Sequence, residues 1–416
     1  MRGRAVAVGA VGAVVVGAFA NLGGCVEEVR LFDVELRVRI ADGVDPAVNV
    51  AAAGLDNERL GLSFNYFPDV GLANGGDARS LKGLPFDADA SSARFELLAF
   101  IDAVNVGRGS SPVLALPERG AVLTVPILLA NVDVVGALNA LPPLPGTGAC
   151  FSADEQGRVF VVGGASSTDS GSIFNESFVV VPLFGQQFAR IASGCVAFDN
   201  SVVAVSGCVD DTDASIHDIN ADADVVVAAS AAAEPCGAFA AKSRNEYWLF
   251  STNSTELIDT SGAILTATAG VNVIDVEVLV GGDVLVLTNT HDLFLYRRSD
   301  AGRPVALGEA LAIGRRFDDV VALTAANDLL LIEAASPVTL RSGIGSTGEV
   351  TSLTVLSNDT VVAIEGANLV VYRVDEPARV IPLPRARTQV SAIPGNTLIL
   401  AGGSSPGLDA ISLSGL

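Results

Sequence analysis

The sequence predicts an all-β protein in which a small β-sandwich precedes a seven-bladed β-propeller. Short apolar runs of strand length, rich in Val, Ile, Leu and Thr, are broken throughout by Gly, Asn, Asp and Ser. From residue 150 onward one such run recurs about every 40 residues, the length of one four-stranded propeller blade. The recurring strands begin at Val159, Val202, Tyr247, Val284, Leu329, Val361 and Leu398.

The composition is apolar and strongly acidic. Half of the 416 residues are hydrophobic, which supplies a sizeable core. The 47 Asp and Glu residues outnumber the 25 Lys and Arg residues, so the net charge is −22. A surface of this charge repels phosphate backbones and anionic lipid headgroups. The composition therefore argues against nucleic acid as a partner and against electrostatic attachment to an anionic membrane.

The N-terminus has the pattern of an export signal. A basic start, residues 1–4, precedes an uncharged stretch at 5–21 that is shorter than the roughly 20 residues of a membrane span. The following Leu-Gly-Gly-Cys, which ends at Cys25, resembles the lipobox of bacterial lipoproteins. The resemblance implies that residues 1–24 are a signal peptide and that acylated Cys25 anchors the chain in a lipid bilayer.

The same resemblance places the mature protein in the cell envelope. The residue after the cysteine is Val26 and not Asp, which by resemblance to Gram-negative lipoproteins favours the outer membrane. A secretory signal without lipid and an uncleaved membrane anchor are the two alternatives.

Residues 25–130 are predicted to form the β-sandwich. Phe32–Ile40 alternates between apolar and charged side chains, the pattern of a strand buried on one face only. Several short strands within this length are typical of an immunoglobulin-like architecture, although the cysteine pair and the core Trp of immunoglobulins are absent. We expect such a domain to act as a spacer or an adhesion module.

Residues 131–416 are predicted to form the propeller, and the Pro/Gly-rich segment 141–148 marks the boundary. The last repeat contains three strands before the sequence ends. We expect residues 131–138 to supply the fourth strand of that blade, because this closes the ring and removes exposed sheet edges. Turns into the apolar strands carry Gly, Asn or Asp, residues that tolerate positive φ, as at Asp199-Asn200, Asn327-Asp328, Asn358-Asp359 and Gly395-Asn396.

The repeat resembles the Kelch repeat. An apolar strand ends in a glycine pair at Gly163-Gly164 and Gly402-Gly403, and a later strand carries Tyr in two other copies. The late Trp of the Kelch repeat is missing from every copy. The resemblance implies a Kelch-like propeller, and we expect the glycine pairs to let the backbone turn or pack closely at a strand end.

Four cysteines follow Cys25. Cys195 opens one strand and Cys208 ends its predicted hairpin partner, so these two are the candidate disulfide in an exported protein. Cys150 and Cys236 occupy equivalent positions in different repeats. Buried free thiols are the alternative for all four.

An acidic segment at 209–224 contains the only pattern that suggests a metal. Asp218, Asn220, Asp222 and Asp224 alternate in the manner of the first ligands of a calcium loop. The glycine and the glutamate that such a loop requires are both replaced by Ala, at positions 223 and 229. A solvated loop between blades is the alternative, and no other cofactor is predicted.

No catalytic motif is present in the sequence. We therefore expect an exported, lipid-anchored envelope protein whose propeller is a non-enzymatic binding or scaffolding module for an envelope protein or a glycan. The long segments 164–176 and 209–224 are expected to supply contact loops. The alternative is an envelope enzyme acting on glycans, with paired carboxylates in the mouth of the propeller.

Overall fold

The computed structural model describes residues 29–41, 49–57, 62–66, 70–71, 78–87, 91–101, 104–118, 120–138, 150–153, 159–162, 171–174, 180–183, 195–198, 201–205, 214–218, 223–227, 239–243, 246–300, 303–316, 319–333, 336–346, 349–356, 358–393, 396–403 and 407–415. These residues form strands and turns, with a 3-10 turn at Arg298–Asp300. Within these ranges no helix reaches the length and apolarity needed to cross a bilayer. The predicted signal peptide and Cys25 lie outside them.

The N-terminal domain is one nine-stranded sheet folded into two layers. Its strands are β1 (Val29–Ile40), β2 (Asn49–Asn57), β3 (Leu62–Tyr66), β4 (Val70–Gly71), β5 (Ala78–Asp87), β6 (Ser92–Ile101), β7 (Val104–Ser110), β8 (Leu114–Ala115) and β9 (Val122–Asn131). The main order is β3-β2-β6-β7-β9-β1-β5, and β1 runs parallel to β9. Strand β9 belongs to both layers, since it pairs with β1 along most of its length and with β7 at its end.

The core of this domain lies between β6 and the β1–β9 pair. Along β1 the side chains of Val34 and Leu36 are buried, while Asp33 and Glu35 are partly exposed, as the alternation predicts. The buried cluster comprises Phe32, Val34, Leu36, Val38, Ala93, Phe95, Leu97, Ala99, Leu123, Val125, Ile127 and Leu129. The predicted two-layer sandwich is confirmed.

The propeller has seven four-stranded blades. A short strand β10 (Gly136–Ala137) precedes them. Blades one to three contain β11 (Cys150–Ala153), β12 (Val159–Val162), β13 (Gly171–Phe174), β14 (Val180–Leu183); β15 (Cys195–Phe198), β16 (Ser201–Val205), β17 (Ala214–Asp218), β18 (Ala223–Val227); and β19 (Phe239–Ser243), β20 (Glu246–Phe250), β21 (Ser254–Asp259), β22 (Ile264–Ala269).

Blades four to seven continue the same order. They contain β23 (Val273–Val278), β24 (Val284–Thr288), β25 (Asp292–Tyr296), β26 (Val305–Glu309); β27 (Ala312–Arg316), β28 (Asp319–Leu323), β29 (Leu329–Ile332), β30 (Val338–Arg341); β31 (Val350–Val355), β32 (Val361–Glu365), β33 (Asn368–Tyr372), β34 (Arg379–Pro382); and β35 (Gln389–Ile393), β36 (Thr397–Ala401), β37 (Asp409–Ser412).

The seventh blade takes its outer strand from the residues that precede the first blade. Strand β10 pairs with β37, where Gly136 lies opposite Ala410 and Ala137 lies opposite Asp409. The first strand of each blade contacts the first strand of the next, and β11 contacts β35 across the junction. These seven first strands therefore form the inner wall of a closed ring, and no blade edge is left open at the junction.

Blade five corrects one strand assignment made from the sequence. The apolar strand at Leu329 is the third strand of its blade, and the second strand begins near Val320. The inner strand is Ala312–Arg316, whose glycine and two arginines break the apolar pattern. With Val320 as the marker, the steps from Val284 and to Val361 become 36 and 41 residues, close to the average repeat.

The two long segments expected to be contact loops also differ from that expectation. Each contains the third strand of its blade, β13 within 164–176 and β17 within 209–224. In blade one, the run predicted as the third strand at 178–181 overlaps the fourth strand, β14. The physical reason is that β12 and β16 would otherwise leave a row of backbone hydrogen-bonding groups unpaired.

The predicted turn chemistry is confirmed at three hairpins. Asn327, Asp359 and Asn396 have φ values of 64°, 61° and 62°. A positive φ is disfavoured for most side chains but is tolerated by Asn and Asp, which explains their place at these turns.

The two domains share a core and a polar strap. Ala41, Leu128 and Ala130 of the sandwich belong to the buried cluster that lies between blades one and seven. Just beyond β9, the amide of Asp133 donates to the carbonyl of Ser412 at 2.7 Å, and Asp133 Oδ1 lies 2.7 Å from Nη1 of Arg379. Blade seven therefore contacts the sandwich through both apolar packing and hydrogen bonds.

Candidate functional site

The inner wall of blade four carries two carboxylates. Asp275 and Glu277 stand two residues apart on β23, and both are partly buried. The pairing of β23 with β24 shifts register between Val273 and Asp275, and Ile274 at this bulge is 46% exposed. Bulges of this kind redirect side chains and recur beside functional sites. The acidic pair therefore follows the bulge and its exposed apolar residue along the inner strand.

A cation from the neighbouring blade holds one of the two acids. Nε of Arg315, on the inner strand of blade five, donates to Oε2 of Glu277 at 2.8 Å. Nη2 of the same side chain donates to the carbonyl of Val278 at 2.8 Å. These two bonds to one strand fix the guanidinium across the junction between blades four and five, so Glu277 keeps a paired cation.

Among the residues that the structure describes, no arginine or lysine forms an ion pair with the second acid, Asp275. Burial raises the pKa of Asp275 well above its usual range, and the negative charge of Glu277 raises it further. The amide of Val276, which donates to Oδ1 of Asp275 at 2.9 Å, acts in the opposite direction. A carboxyl group with a raised pKa thus stands two residues from one that is paired with an arginine, and two carboxyl groups in unlike surroundings are the arrangement that general acid and base chemistry uses.

Polar contacts join the inner strands of the later blades as well. Oγ1 of Thr354 donates to the carbonyl of Arg315 at 3.3 Å, between blades six and five. Oγ of Ser352 accepts from the amide of Val390 at 3.0 Å, between blades six and seven. The strand that carries Arg315, the partner of Glu277, is therefore hydrogen-bonded to the inner strand of the next blade.

A second charged cluster lies where blade six connects to blade seven. Arg387 is buried, and its Nε lies 2.7 Å from Oδ2 of Asp409, which is also buried. Nε of Arg385 lies 3.0 Å from each oxygen of the same carboxylate. One buried carboxylate therefore binds the guanidinium groups of two arginines.

The glycine pair of the last repeat packs against this connection. Gly402 and Gly403 have φ values of 73° and 76°. A Cβ atom at Gly402 would overlap the Thr388 side chain, and one at Gly403 would overlap the carbonyl of Ala386. The close packing predicted for this pair is confirmed, whereas Gly163 and Gly164 lie outside the described residues.

The two rims of the ring differ in charge. One rim is formed by the turns between second and third strands and the adjoining connections to the next blade. We call its described residues 251–253, 270–272, 289–291, 324–328, 342–346 and 366–367 the neutral rim, because Asp328 is the one charged residue among them. Glu349, Arg385 and Arg387 lie in the connections on the same side.

The opposite rim, which we call the charged rim, is formed by the turns between first and second and between third and fourth strands. It carries a series of ion pairs, and the strap residue Arg379 belongs to it. The pairs are Arg297–Asp283, Arg298–Glu246, Arg316–Asp359, Arg373–Glu376 and Arg379–Asp133. Paired, solvated charges are expensive to desolvate, so this rim is a poor docking surface.

The predicted disulfide stays a prediction. Cys195 begins β15 and lies opposite Ala204 in the register of the blade-two hairpin. Cys208 lies outside the described residues, as does Cys236.

The predicted calcium ligands are placed in part. Asp218 lies opposite Ala223, and Asp224 lies opposite His217, on the adjacent strands β17 and β18. Asn220 and Asp222 lie outside the described residues. Across the described part of the chain, no group of three His, Cys, Asp or Glu residues is arranged to hold a metal ion. The calcium site stays a prediction.

Neither known protein families nor curated proteins match this sequence. Among solved structures, the chain is similar to virginiamycin B lyase from Staphylococcus aureus, with 10% identity, a TM-score of 0.48 and coverage of 64% of this chain and 94% of that one. BamB from Moraxella catarrhalis shows 11% identity, a TM-score of 0.40 and coverage of 68% and 97%.

A third similar structure is the extracellular domain of a putative hybrid two component system, BT4673, from B. thetaiotaomicron. It shows 13% identity and a TM-score of 0.45, and the match covers 65% of this chain. The chain spans only 39% of that protein's length. Similarities of this degree identify neither a ligand nor an activity for the present protein.

Sequence reasoning did not single out Asp275, Glu277 or Arg315. The available signal was the Asp-Val-Glu alternation within a predicted inner strand, which places two acids on one face. With 47 acidic residues in the chain, that signal is common by chance. Only the pairing of neighbouring blades brings Arg315 to Glu277.

Proposed function

We propose that the protein is a lipid-anchored protein of the cell envelope, held in the outer membrane through Cys25, whose propeller binds a partner on the neutral rim. The observation that carries the binding proposal is the difference between the two rims. Protein interfaces exclude charge from their centres, and rigid scaffolds present functional turns. The turns of the neutral rim are short, carry small side chains and contain one described charge, at Asp328, whereas the charged rim is occupied by ion pairs.

The partner in this proposal is an envelope protein or a glycan, and the propeller acts as a scaffold without chemistry of its own. The test is capture of partners from envelope extract by residues 25–416 carrying Cys25→Ala. Ala325→Glu and Ala367→Glu place a charge on exposed positions of the neutral rim. Ala378→Glu, an exposed position of the charged rim, is the matched control.

We expect a specific partner to be captured by the parent protein and by the Ala378 variant, and to be lost with either neutral-rim variant. Retention of the partner by both neutral-rim variants would place the interface elsewhere. Co-sedimentation of the parent protein and the three variants with purified envelope glycan decides between the two classes of partner. Binding to the glycan that either neutral-rim variant loses would identify a glycan, and no binding would favour a protein.

The anchoring proposal has its own test. The full chain, expressed with radiolabelled palmitate in a Gram-negative host, is expected to incorporate label and to fractionate with outer membrane. The Cys25→Ala variant should incorporate none. Label-free protein that still fractionates with membrane would favour an uncleaved anchor.

An envelope enzyme acting on glycans is the second candidate, and the pair of Asp275 and Glu277 is the observation that favours it. The proposal predicts release of soluble sugar from an envelope glycan by the parent protein. Asp275→Asn and Glu277→Gln should each abolish that release. No release by the parent protein at any pH between 4 and 8 would reject this candidate.

A further inference from the structure

We propose that His291, in a turn of blade four on the neutral rim, is the recognition residue of a binding site for an uncharged glycan. The site, which we call the polar patch, comprises residues 252–253, 270–272 and 289–291. This inference rests on the proposed function, which places the partner on the neutral rim, and it narrows that partner to a neutral polysaccharide or oligosaccharide.

His291 occupies a backbone position that equivalent turns give to Gly, Asn or Asp. In five of the described hairpin turns, one residue has a positive φ and its amide donates to the carbonyl three residues earlier. These residues are Gly262, Gly282, His291, Asn327 and Asp359. Glycine adopts a positive φ without steric cost, and the short polar side chains of Asn and Asp tolerate it. The geometry of the turn therefore does not account for an imidazole ring at position 291.

A hydrogen bond fixes the orientation of this ring. Nδ1 of His291 lies 3.2 Å from the carbonyl oxygen of Ala310, in the connection between blades four and five. A carbonyl oxygen only accepts, so Nδ1 carries the proton and donates. In the neutral ring, Nε2 then has a lone pair on the side of the ring that faces away from Ala310. Because His291 is exposed and Ala310 is buried, this acceptor is on the solvent side.

Backbone contacts bring polar residues of two blades beside His291. The amide of Asn289 donates to the carbonyl of Asn272 at 2.9 Å, which joins the turn of blade four to the connection from blade three. A Cβ atom at Gly270 would lie 2.2 Å from the carbonyl oxygen of Thr252, so the turn of blade three packs closely against the same connection. The exposed residues of the polar patch are Thr252, Asn253, Asn272, Asn289, Thr290 and His291. They form one continuous surface across the junction of blades three and four.

The chemistry of the polar patch matches the hydroxyl groups of a sugar. Asparagine amides and threonine hydroxyls both donate and accept hydrogen bonds, and Nε2 of His291 accepts them. The patch contains no Asp, Glu, Lys or Arg, and Asp292, which follows it, accepts a hydrogen bond from Oγ1 of Thr290 at 2.6 Å. Ile274, which is 46% exposed, adds an apolar side chain two residues beyond Asn272. Uncharged polar groups beside a small apolar surface suit a neutral sugar ring.

Other classes of partner match this surface less well. Interfaces between proteins take most of their affinity from a few residues, chiefly Trp, Tyr and Arg. The described residues of the neutral rim contain none of these three types. The net charge of −22 repels an acidic glycan. The patch therefore favours a neutral glycan.

The test measures binding to neutral oligosaccharides. Residues 25–416 carrying Cys25→Ala are titrated onto immobilised oligomers of glucose, mannose, galactose and N-acetylglucosamine, with polygalacturonate as the charged comparison. His291→Asn keeps a residue that tolerates the turn, and His291→Gly removes the side chain. Asn396→Gly is the matched control, because Asn396 has a φ of 62° in a turn of the charged rim. The melting temperature of each variant reports its stability.

We expect at least one neutral oligosaccharide to bind the parent protein and the Asn396 variant equally. Either substitution at His291 should weaken that binding about tenfold, the effect of one lost hydrogen bond. The melting temperatures of the His291 variants should equal or exceed that of the parent, because Asn and Gly suit the turn. Unchanged binding by both His291 variants would overturn the inference, and a lower melting temperature would then show that the ring serves the turn.

Two further outcomes distinguish this inference from the proposed function. Capture of an envelope protein that both Ala325→Glu and Ala367→Glu abolish, without binding to any neutral oligosaccharide, would overturn the glycan site and leave the neutral rim as the interface. Absence of any partner, protein or glycan, would reject both.

Discussion

Gly314 of blade five lies against the backbone carbonyl of Leu353 in blade six, at a distance that only glycine permits. The two residues are paired in parallel, and the pairing joins two blades into one eight-stranded sheet. A Cβ atom on residue 314 would overlap the Leu353 oxygen and carbon. A glycine inside a strand therefore marks a close approach of two backbones.

Gly314→Ala is expected to destabilise the propeller by about 1–3 kcal/mol, because the added methyl group must push blade six away. Gly281→Ala is the matched control, since a Cβ atom there has no neighbour within 4 Å. Urea unfolding followed by circular dichroism measures both. Equal urea midpoints for the two variants would contradict this prediction, because they would mean that blade six accommodates the added methyl group without loss of stability.

An aromatic cluster joins blades three and four. The ring of Tyr296 lies 5.5 Å from that of Trp248 and 5.1 Å from that of Phe250, centroid to centroid, with both pairs edge to face. Trp248→Ala should cost about 3–5 kcal/mol of unfolding free energy, because it removes the largest buried side chain at this junction. Val338→Ala, at a 54% exposed position, should change it by less than about 0.5 kcal/mol.

The raised pKa of Asp275 predicts a pH dependence of stability with a definite sign. A carboxyl group whose pKa is higher in the folded state binds its proton more tightly there. Its stabilising contribution is therefore complete below the unfolded value of 3.8 and is lost as the pH rises through the folded value. Glu277 and Arg315 face the same region and are left unchanged in this test.

Asp275→Asn is expected to remove the loss of stability that ionisation of Asp275 causes. The melting temperature of the variant, relative to that of the parent protein, should therefore increase as the pH rises from 4 to 8. Asp259→Asn should show the opposite trend. Hydrogen bonds from Ser261 and from the amide of Ala263 lower the pKa of Asp259, so its contribution disappears on acidification. Parallel pH profiles for the parent and the Asp275 variant would contradict the assignment.

The two arginines on Asp409 should differ in their cost of removal. Arg387→Ala leaves a buried carboxylate with one cation fewer and is expected to cost about 3–5 kcal/mol. Arg385→Ala should cost less, because its side chain is 27% exposed and water can replace it. Thermal unfolding of both variants compares them directly. A larger loss for Arg385→Ala would show that its bidentate geometry outweighs burial.

Local patterns were sufficient for much of the fold. The two-layer sandwich, the seven-bladed ring and the positive φ of Asn327, Asp359 and Asn396 all follow from alternation, repeat length and turn chemistry. These features depend on residues near one another in the chain. Blade five was misassigned because its inner strand, Ala312–Arg316, has a composition set by the neighbouring blade and not by its own hairpin.

The candidate site, in contrast, depends on contacts between residues that are distant in the sequence. By itself the sequence determined most of the strands, the number of blades, and that a signal resembling a lipobox precedes them. Only the tertiary structure decided that Arg315 reaches Glu277, that burial and Glu277 raise the pKa of Asp275, and that the described parts of the two rims differ in charge. The physical reason is that such contacts join residues tens of positions apart, and side-chain ionisation responds to desolvation and neighbouring charge in three dimensions.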